Sequence, residues 1–124
     1  MTRLRIRTEF KFIDKFERPV YPIFMRTAYE VIFTGQAYGH LEAIGRHDRN
    51  LILDAVGEQL PHTPDDETRN RKLLRDNPLA DWELRVGRYR VFYDVDAANR
   101  RVRILAVGVK ERNRLLIGGQ EVLL

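Results

Sequence analysis

The residues of this 124-residue chain best suited to chemistry are cations on or beside a run of predicted β-strands. The segment 82–96, WELRVGRYRVFYDVD, contains Arg85, Arg88 and Arg90, and Lys110 follows the next apolar run. Guanidinium groups bind phosphate oxygens in pairs, so such a set suits a polyanion. In RNA, the same charges would stabilise the negative charge that develops when a 2′-hydroxyl attacks its own phosphodiester.

Charge is unevenly distributed along the chain. The net charge is only +4, but residues 69–114 hold 13 Lys or Arg against 6 Asp or Glu, whereas residues 25–68 hold 3 against 8. This division predicts a polarised surface with one basic face, and chance placement of solvated charges is the alternative. The residues that we predict to contact RNA around the central strands are Arg69, Arg71, Lys72, Arg88, Arg112 and Arg114.

Other kinds of site have little support in the sequence. The chain contains no cysteine and no serine, which excludes thiolate chemistry and a serine nucleophile. His40, His47 and His62 lack metal-ligand spacing, so we expect no metal and no cofactor. We also expect a cytoplasmic protein without a membrane partner, because no apolar run is long enough to cross a bilayer and no disulfide framework is present.

The elements that must position the cations form a predicted β-meander. Apolar residues alternate with polar residues through 82–86, 89–95 and 102–109, a period of two that is typical of half-buried antiparallel strands. The alternation places Arg85 and Arg90 on the polar, solvent-exposed side of the sheet.

The aromatic residues of the meander are expected mainly in the core. Trp82 begins the first strand and is interpreted as a core anchor. Tyr89 and Tyr93 share a face with Val91, which favours burial; stacking on RNA bases or donating protons is the alternative.

Two helices are predicted to cover one face of the meander. A strand at 29–33 leads into a helix at 35–44, with Thr34 in the N-cap position. Gly45 is expected to end that helix in a left-handed turn, and Asp48 is expected to cap a second helix.

One domain accounts for residues 25–124, and an extension of residues 1–24 precedes it. Within the extension, residues 4–12 alternate as an edge strand would. Near the other end, the short apolar runs 115–117 and 122–124 form either a final pair of strands or a tail that binds a partner.

The order of these elements is a strand, two helices, a basic loop at 69–75 and the meander. Together with the motifs RVGRYRVFYDVD and AVGVKER, it resembles the RelE/ParE family of bacterial toxins from type II toxin–antitoxin modules. The resemblance covers roughly residues 29–114. It implies an α+β fold in which a curved antiparallel sheet of three to five strands packs against an N-terminal helical hairpin.

The resemblance also implies functional residues. Three catalytic positions carry over to this chain: Arg90 in the YRVFY run, Arg85 in the strand before it, and Lys110 after the VG pair. Nuclease members use a Tyr or His near the C-terminus as general acid or base, but this chain has neither after Tyr93.

Three functions are consistent with this resemblance. The leading hypothesis is a toxin that inhibits translation by ribosome-dependent mRNA cleavage, with the three cations at the scissile phosphate. The second is a ParE-like inhibitor of DNA gyrase that performs no chemistry, and the third is a degenerate member that binds only its antitoxin. The expected partners are therefore a cognate antitoxin and either the ribosome with its mRNA or gyrase.

Overall fold

The structure, a computed structural model, describes residues 28–124, which contain two helices and seven strands. The elements are β1 (Glu30–Phe33), α1 (Gly35–Glu42), α2 (Arg46–Gln59), β2 (Arg71–Leu73), β3 (Trp82–Val86), β4 (Tyr89–Asp96), β5 (Arg101–Glu111), β6 (Arg114–Ile117) and β7 (Gln120–Glu121). The strand predicted at 4–12 and the domain boundary predicted between residues 24 and 25 lie outside the described residues. Neither of the two described helices is long and apolar enough to cross a bilayer.

All seven strands belong to one open sheet in the order β2-β3-β4-β5-β6-β7, and β1 pairs with β5 in parallel. Since β4 occupies one edge of β5, β1 and β6 share the other edge, β1 along Arg101–Ile104 and β6 along Gly108–Glu111. The predicted α+β class with a curved antiparallel sheet is confirmed. The sheet has more strands than predicted because two very short ones, β2 and β7, extend its ends.

The alternation of the central segment predicted the β3–β4 hairpin correctly. Leu84 lies opposite Val91 and Arg85 lies opposite Arg90 across the two antiparallel strands. Gly87 makes the turn between them with φ 58°, a conformation that glycine adopts without steric cost. In the next pair the register shifts between Phe92 and Tyr93, so β5 carries one extra residue in a β-bulge.

The main core lies between the sheet and the two helices. Ala37 and Leu41 of α1 and Ile52 and Val56 of α2 are buried against the sheet, each at most 2% exposed. Trp82 is 8% exposed and stacks on the fully buried Tyr93, with ring centroids 6.1 Å apart. The predicted anchoring role of Trp82 and the predicted burial of Tyr89 and Tyr93 are therefore confirmed.

The opposite side of the sheet, here called the outer face, carries a smaller apolar cluster. Phe92, which the alternation placed among polar residues, is completely buried there with Ala80 and Ala106. Leu74 from the segment before β3 and Ile117 from β6 pack over it. The solvent-exposed part of the outer face is therefore smaller than the sequence predicted.

The helix ends differ in part from the predictions. Thr34 is the N-cap of α1, and its Oγ1 accepts a hydrogen bond from the Ala37 N–H at 3.2 Å, as predicted. The prediction for Gly45 is wrong, because the C-cap of α1 is Ala43, and Gly45, with φ −58°, is the N-cap of α2. Asp48 consequently lies inside the first turn of α2 rather than at its cap.

Gly108 is required where β6 approaches β5. A Cβ atom at this position would lie 2.9 Å from the Leu116 carbonyl oxygen and 2.9 Å from Cγ1 of Ile117. Contacts this short force one of the strands to move, because the Leu116 oxygen belongs to the backbone of the sheet. The glycine of the AVGVKER motif thus has a steric explanation within the fold.

We predict that Gly108→Ala lowers the free energy of unfolding by about 1–3 kcal/mol, the usual cost of adding a methyl group where there is no space. Urea denaturation with a fluorescence readout measures the change. Gly39→Ala is the matched control, because no atom lies within 4 Å of its added Cβ and alanine favours the helix. A Gly108→Ala protein as stable as the wild type would contradict the steric explanation.

Candidate functional site

The three cations predicted to be catalytic project from the outer face of the sheet. Arg85 and Arg90 are directly opposite each other, and Arg90 is also opposite Gly108, two residues before Lys110 on β5. Because side chains alternate along a strand, all three leave the sheet on the side away from the helices. Arg85 and Lys110 line a recess of about 310 Å³, which also contains Glu83. We call these four residues the cationic face.

Glu83 is the residue of this face that the sequence analysis missed. Its Oε1 lies 3.3 Å from Nε of Arg85, and its Oε2 lies 3.4 Å from Nε of Arg90. Glu83 is only 9% exposed, so its charge is poorly screened by water. The signal available in the sequence was its position two residues before Arg85, which puts both side chains on the same face of a strand.

Arg90 is far less exposed than predicted. Its side chain is 14% exposed, and its Nη1 donates to the carbonyl oxygens of Gly87 at 2.8 Å and of Tyr89 at 2.9 Å. Burial lowers the pKa of the Arg90 guanidinium from its ordinary value, although Glu83 acts in the opposite direction. Arg90 therefore holds the β3–β4 turn together in addition to contributing charge to the face.

Lys110 is exposed at the end of β5. Its backbone N–H donates to the Arg88 carbonyl oxygen at 2.7 Å, which joins the end of β5 to the β3–β4 turn. No carboxylate of residues 28–124 lies within 4.0 Å of its ammonium group. Of the three predicted catalytic cations, Lys110 is thus the one without a counterion in the described part of the chain.

Arg71, predicted to contact RNA, is instead an internal residue with 8% exposure. Its guanidinium donates to the Asp66 carbonyl oxygen at 3.1 Å, to Oε1 of Gln59 at 3.2 Å and to Oγ1 of Thr63 at 3.2 Å. It is buried because the basic segment forms strand β2 beside β3 rather than the predicted loop. Arg71 links the segment after α2 to the sheet by hydrogen bonds, and its guanidinium is not exposed to an RNA ligand.

The other predicted RNA-binding residues lie around the sheet. Arg69 is exposed before β2, and half-buried Lys72 lies opposite Glu83 on β2. Arg112 is exposed in the β5–β6 turn, where it adopts φ 51°. Acidic neighbours accompany the remaining two: Arg88 lies 3.7 Å from Glu111 and 3.8 Å from Asp48, and Arg114 lies 3.8 Å from Glu121.

A second polar cluster lies on the helix side of the sheet. The Tyr89 hydroxyl donates to Oδ2 of Asp48 at 2.5 Å and accepts from Nη2 of Arg88 at 3.2 Å. Burial raises the pKa of the Tyr89 hydroxyl, and the hydrogen bond to Asp48 raises it further. Tyr89 therefore stays protonated and is separated from the cationic face by the sheet itself.

His40 lines the same side, in a cleft of about 510 Å³ between the helices and the β5–β6 hairpin. Its Nδ1 accepts a hydrogen bond from the Val107 N–H at 3.2 Å. Val107 lies in the short gap between the parts of β5 that pair with β1 and β6, so the imidazole satisfies a donor that neither strand reaches. Burial lowers the pKa of His40, which favours the neutral ring that this bond requires.

The titratable side chains at the recess, besides Arg85, are two carboxylates and a lysine, namely Glu83, Glu121 and Lys110. Neither a tyrosine nor a histidine lines the recess that contains Glu83, Arg85 and Lys110. Likewise, no group of three or more His, Cys, Asp or Glu residues within 28–124 is arranged to hold a metal ion. What the described face offers is a set of fixed charges, suited to binding and to electrostatic stabilisation.

Comparison with known proteins identifies a family and a similar solved structure. Residues 31–114 match the model of a family described as the ParE toxin of the type II toxin–antitoxin system parDE. Among solved structures, a chain of the RelBE2 toxin–antitoxin complex from Mycobacterium tuberculosis is 26% identical, with a TM-score of 0.59. That alignment covers 67% of this chain and 99% of the other. No curated protein sequence matches significantly.

We predict that Arg90→Ala destabilises the fold by about 1.5–3 kcal/mol, because a charged donor to two backbone carbonyls is lost and Glu83 keeps one cation fewer. Lys110→Ala, the matched control on the same face, should change stability by no more than about 0.5 kcal/mol. Thermal and urea denaturation of the two variants measure the difference. Equal stabilities would show that the Arg90 bonds contribute nothing measurable to the hairpin.

We further predict that stability falls as the pH is lowered below about 6.5, the ordinary pKa of histidine. The folded protein keeps His40 neutral, so the unfolded chain binds more protons in the range between the two pKa values. His40→Asn is the control, since an amide oxygen accepts the Val107 N–H without titrating. The stability of the wild type should decrease more steeply than that of His40→Asn between pH 7 and 5. Parallel curves would exclude this role for His40.

Proposed function

The chain belongs to the ParE toxin family of type II toxin–antitoxin systems, and we propose that it acts as a ParE-type toxin that inhibits DNA gyrase by binding it. Its likeness to a chain of the RelBE2 complex agrees with the same class of protein. In this proposal the toxin performs no covalent step, its cellular target is a cytoplasmic enzyme, and a cognate antitoxin holds it inactive.

The observation that carries the proposal is the position of Glu83 between Arg85 and Arg90. Preorganised cations stabilise an mRNA phosphate during cleavage, and an internal anion held between them offsets part of their charge. Here both guanidinium groups face the oxygens of one buried carboxylate, at 3.3 and 3.4 Å. A phosphate entering the recess would meet the negative charge of Glu83 as well as the cations.

The side chains at the recess support the same conclusion. Cleavage by a 2′-hydroxyl needs a group that accepts its proton and one that protonates the leaving oxygen. Arginine is protonated under all ordinary conditions and is a poor proton donor. The two carboxylates of the recess are already paired with arginines, Glu83 with Arg85 and Arg90 and Glu121 with Arg114, which makes them weaker proton acceptors. The buried Tyr89 and Tyr93 lie on the helix side, where the Tyr93 hydroxyl donates to the Pro64 carbonyl oxygen at 2.7 Å.

Ribosome-dependent mRNA cleavage, the leading hypothesis from the sequence, becomes the second candidate. It is favoured by one observation: Arg85, Arg90 and Lys110 do share one face of the sheet. In that case Arg85, Arg90 and Lys110 would surround the scissile phosphate, and Arg69, Lys72, Arg88, Arg112 and Arg114 would contact the surrounding RNA.

The antitoxin is expected to carry acidic and apolar residues. The recess beside Lys110 is bordered by Leu123 and Leu124, which are 86% and 46% exposed. A partner segment that places a carboxylate near Lys110 and apolar side chains on these leucines would satisfy both features. Charge attraction would accelerate the association and make it sensitive to salt.

Two measurements in the same cells separate the candidates. After induction of the toxin, the proposal expects relaxed plasmid DNA while the rate of protein synthesis is initially maintained. The purified toxin should also inhibit DNA supercoiling by purified gyrase. The protein encoded beside the toxin should abolish both effects, by co-expression in the cells and by addition to the purified assay.

Different outcomes exclude different candidates. An immediate arrest of protein synthesis with cleaved mRNA and normal supercoiling would replace gyrase inhibition by mRNA cleavage. A chain that binds the neighbouring protein but has no effect on growth would be a member that has kept only antitoxin binding.

A further inference from the structure

Glu83 is a buried acid in the middle of a basic face, and its position suggests a role beyond the fold. We propose that Glu83 determines the binding specificity of the cationic face: its carboxylate occupies the place of a phosphate between Arg85 and Arg90 and so prevents the face from binding nucleic acid. This inference deepens the proposed function, on which it rests, because it names the residue that makes the face select a protein partner over RNA.

The geometry is that of an internal ligand. A carboxylate and a phosphate both offer neighbouring oxygens to guanidinium groups. Oε1 of Glu83 faces Arg85 and Oε2 faces Arg90, so one carboxylate serves as the counterion of both guanidinium groups. The Glu83 side chain is 11% exposed and the Arg90 side chain 14%, which places their contact mostly out of water, where screening is weak. The Arg85 side chain is 45% exposed, so the contact of Glu83 with Arg85 lies at the surface.

The Glu83 carboxylate also reduces the electrostatic repulsion between the two arginines. Arg85 lies directly opposite Arg90 on neighbouring strands, and like charges in that position repel each other. Lys72 lies opposite Glu83 on β2. The acid therefore has a basic residue on each neighbouring strand, Lys72 on β2 and Arg90 on β4, in addition to Arg85 on its own strand. An external phosphate would relieve the same repulsion, and it would therefore bind wherever the internal carboxylate is removed.

The test is the substitution Glu83→Gln, which has nearly the same shape as the wild type but no charge. Binding of a fluorescein-labelled single-stranded RNA of about ten nucleotides is measured by fluorescence anisotropy at low ionic strength. The proposal expects Glu83→Gln to bind this RNA at least about tenfold more tightly than the wild type. The double variant Glu83→Gln, Arg85→Ala should lose most of this gain.

Glu42→Gln is the control for net charge. Glu42 is exposed at the end of α1, away from the cationic face, and its substitution changes the total charge by the same amount. It should alter RNA binding less than about twofold. Equal gains in Glu83→Gln and Glu42→Gln would overturn the proposal, and so would a wild type that already binds the RNA as tightly as Glu83→Gln.

Loss of Glu83 also leaves Arg85 and Arg90 facing each other, which is expected to lower the melting temperature. Inorganic tripolyphosphate then serves as the second probe. It should raise the melting temperature of Glu83→Gln clearly more than that of the wild type, because a ligand that binds the folded state stabilises it. If Glu83→Gln is unfolded and tripolyphosphate does not restore folding, the phosphate-like role of the carboxylate is wrong.

The result is independent of the test of the proposed function. RNA and tripolyphosphate binding are measured on the purified chain, without gyrase or ribosomes. A gain of RNA binding in Glu83→Gln together with uninhibited gyrase would reject gyrase inhibition while keeping the role of Glu83. Inhibited gyrase without such a gain would keep gyrase inhibition and reject the role of Glu83.

Discussion

Hydrogen bonding along both edges of β5 is the constraint on which the other elements depend. This eleven-residue strand pairs with β4 on one edge, and β1 and β6 divide the other. Buried backbone donors must find acceptors, and the donor of Val107, between the two partners, is satisfied by His40 of α1. Helix α1 is thereby fixed to the sheet by a polar contact as well as by its apolar residues. The close approach of β6 requires the absence of a side chain at Gly108.

Two arginines of the basic half of the chain, Arg71 and Arg90, lie largely inside the protein. Burying a charge is costly unless hydrogen bonds and counterions compensate for the lost water. Arg71 meets this condition with three acceptors around one guanidinium. For Arg90, Nη1 has two carbonyl acceptors, whereas the buried Nε makes no hydrogen bond and is compensated by the charge of Glu83 at 3.4 Å. A count of lysines and arginines therefore overstates how much positive charge is offered to a partner. The cations at this end of the sheet that keep an exposed position are Arg85, Arg88, Lys110, Arg112 and Arg114.

This distribution of charge is the basis of our proposal for the mode of action. A nuclease has to present its cations to a phosphate and combine them with proton transfer, whereas an inhibitor that binds a protein needs only a complementary surface. The outer face combines exposed cations with a few exposed leucines and an internal ion pair, which fits the second requirement better. The family that the sequence resemblance predicted is confirmed, and gyrase inhibition is our proposal for its mechanism.

The sequence alone determined the elements whose evidence is local. The period of two predicted β3, β4 and β5, Thr34 predicted the start of α1, and Trp82 and Tyr93 were assigned to the core, because each depends on neighbours within a few residues. Only the tertiary structure decided what covers each face and which charges meet across it. Alternation assigns a side chain to one side of a strand but does not say that Phe92 is covered there.

The same limit applies to the charged residues and the helix ends. The burial of Arg71 depends on β2 pairing with β3, and the exposure of Arg90 depends on the turn at Gly87 and on Glu83. Gly45 caps α2 instead of ending α1 because the break between the two helices is only three residues long, 43–45. Such outcomes arise from register and packing between distant segments, which a pattern read along one strand or helix does not contain.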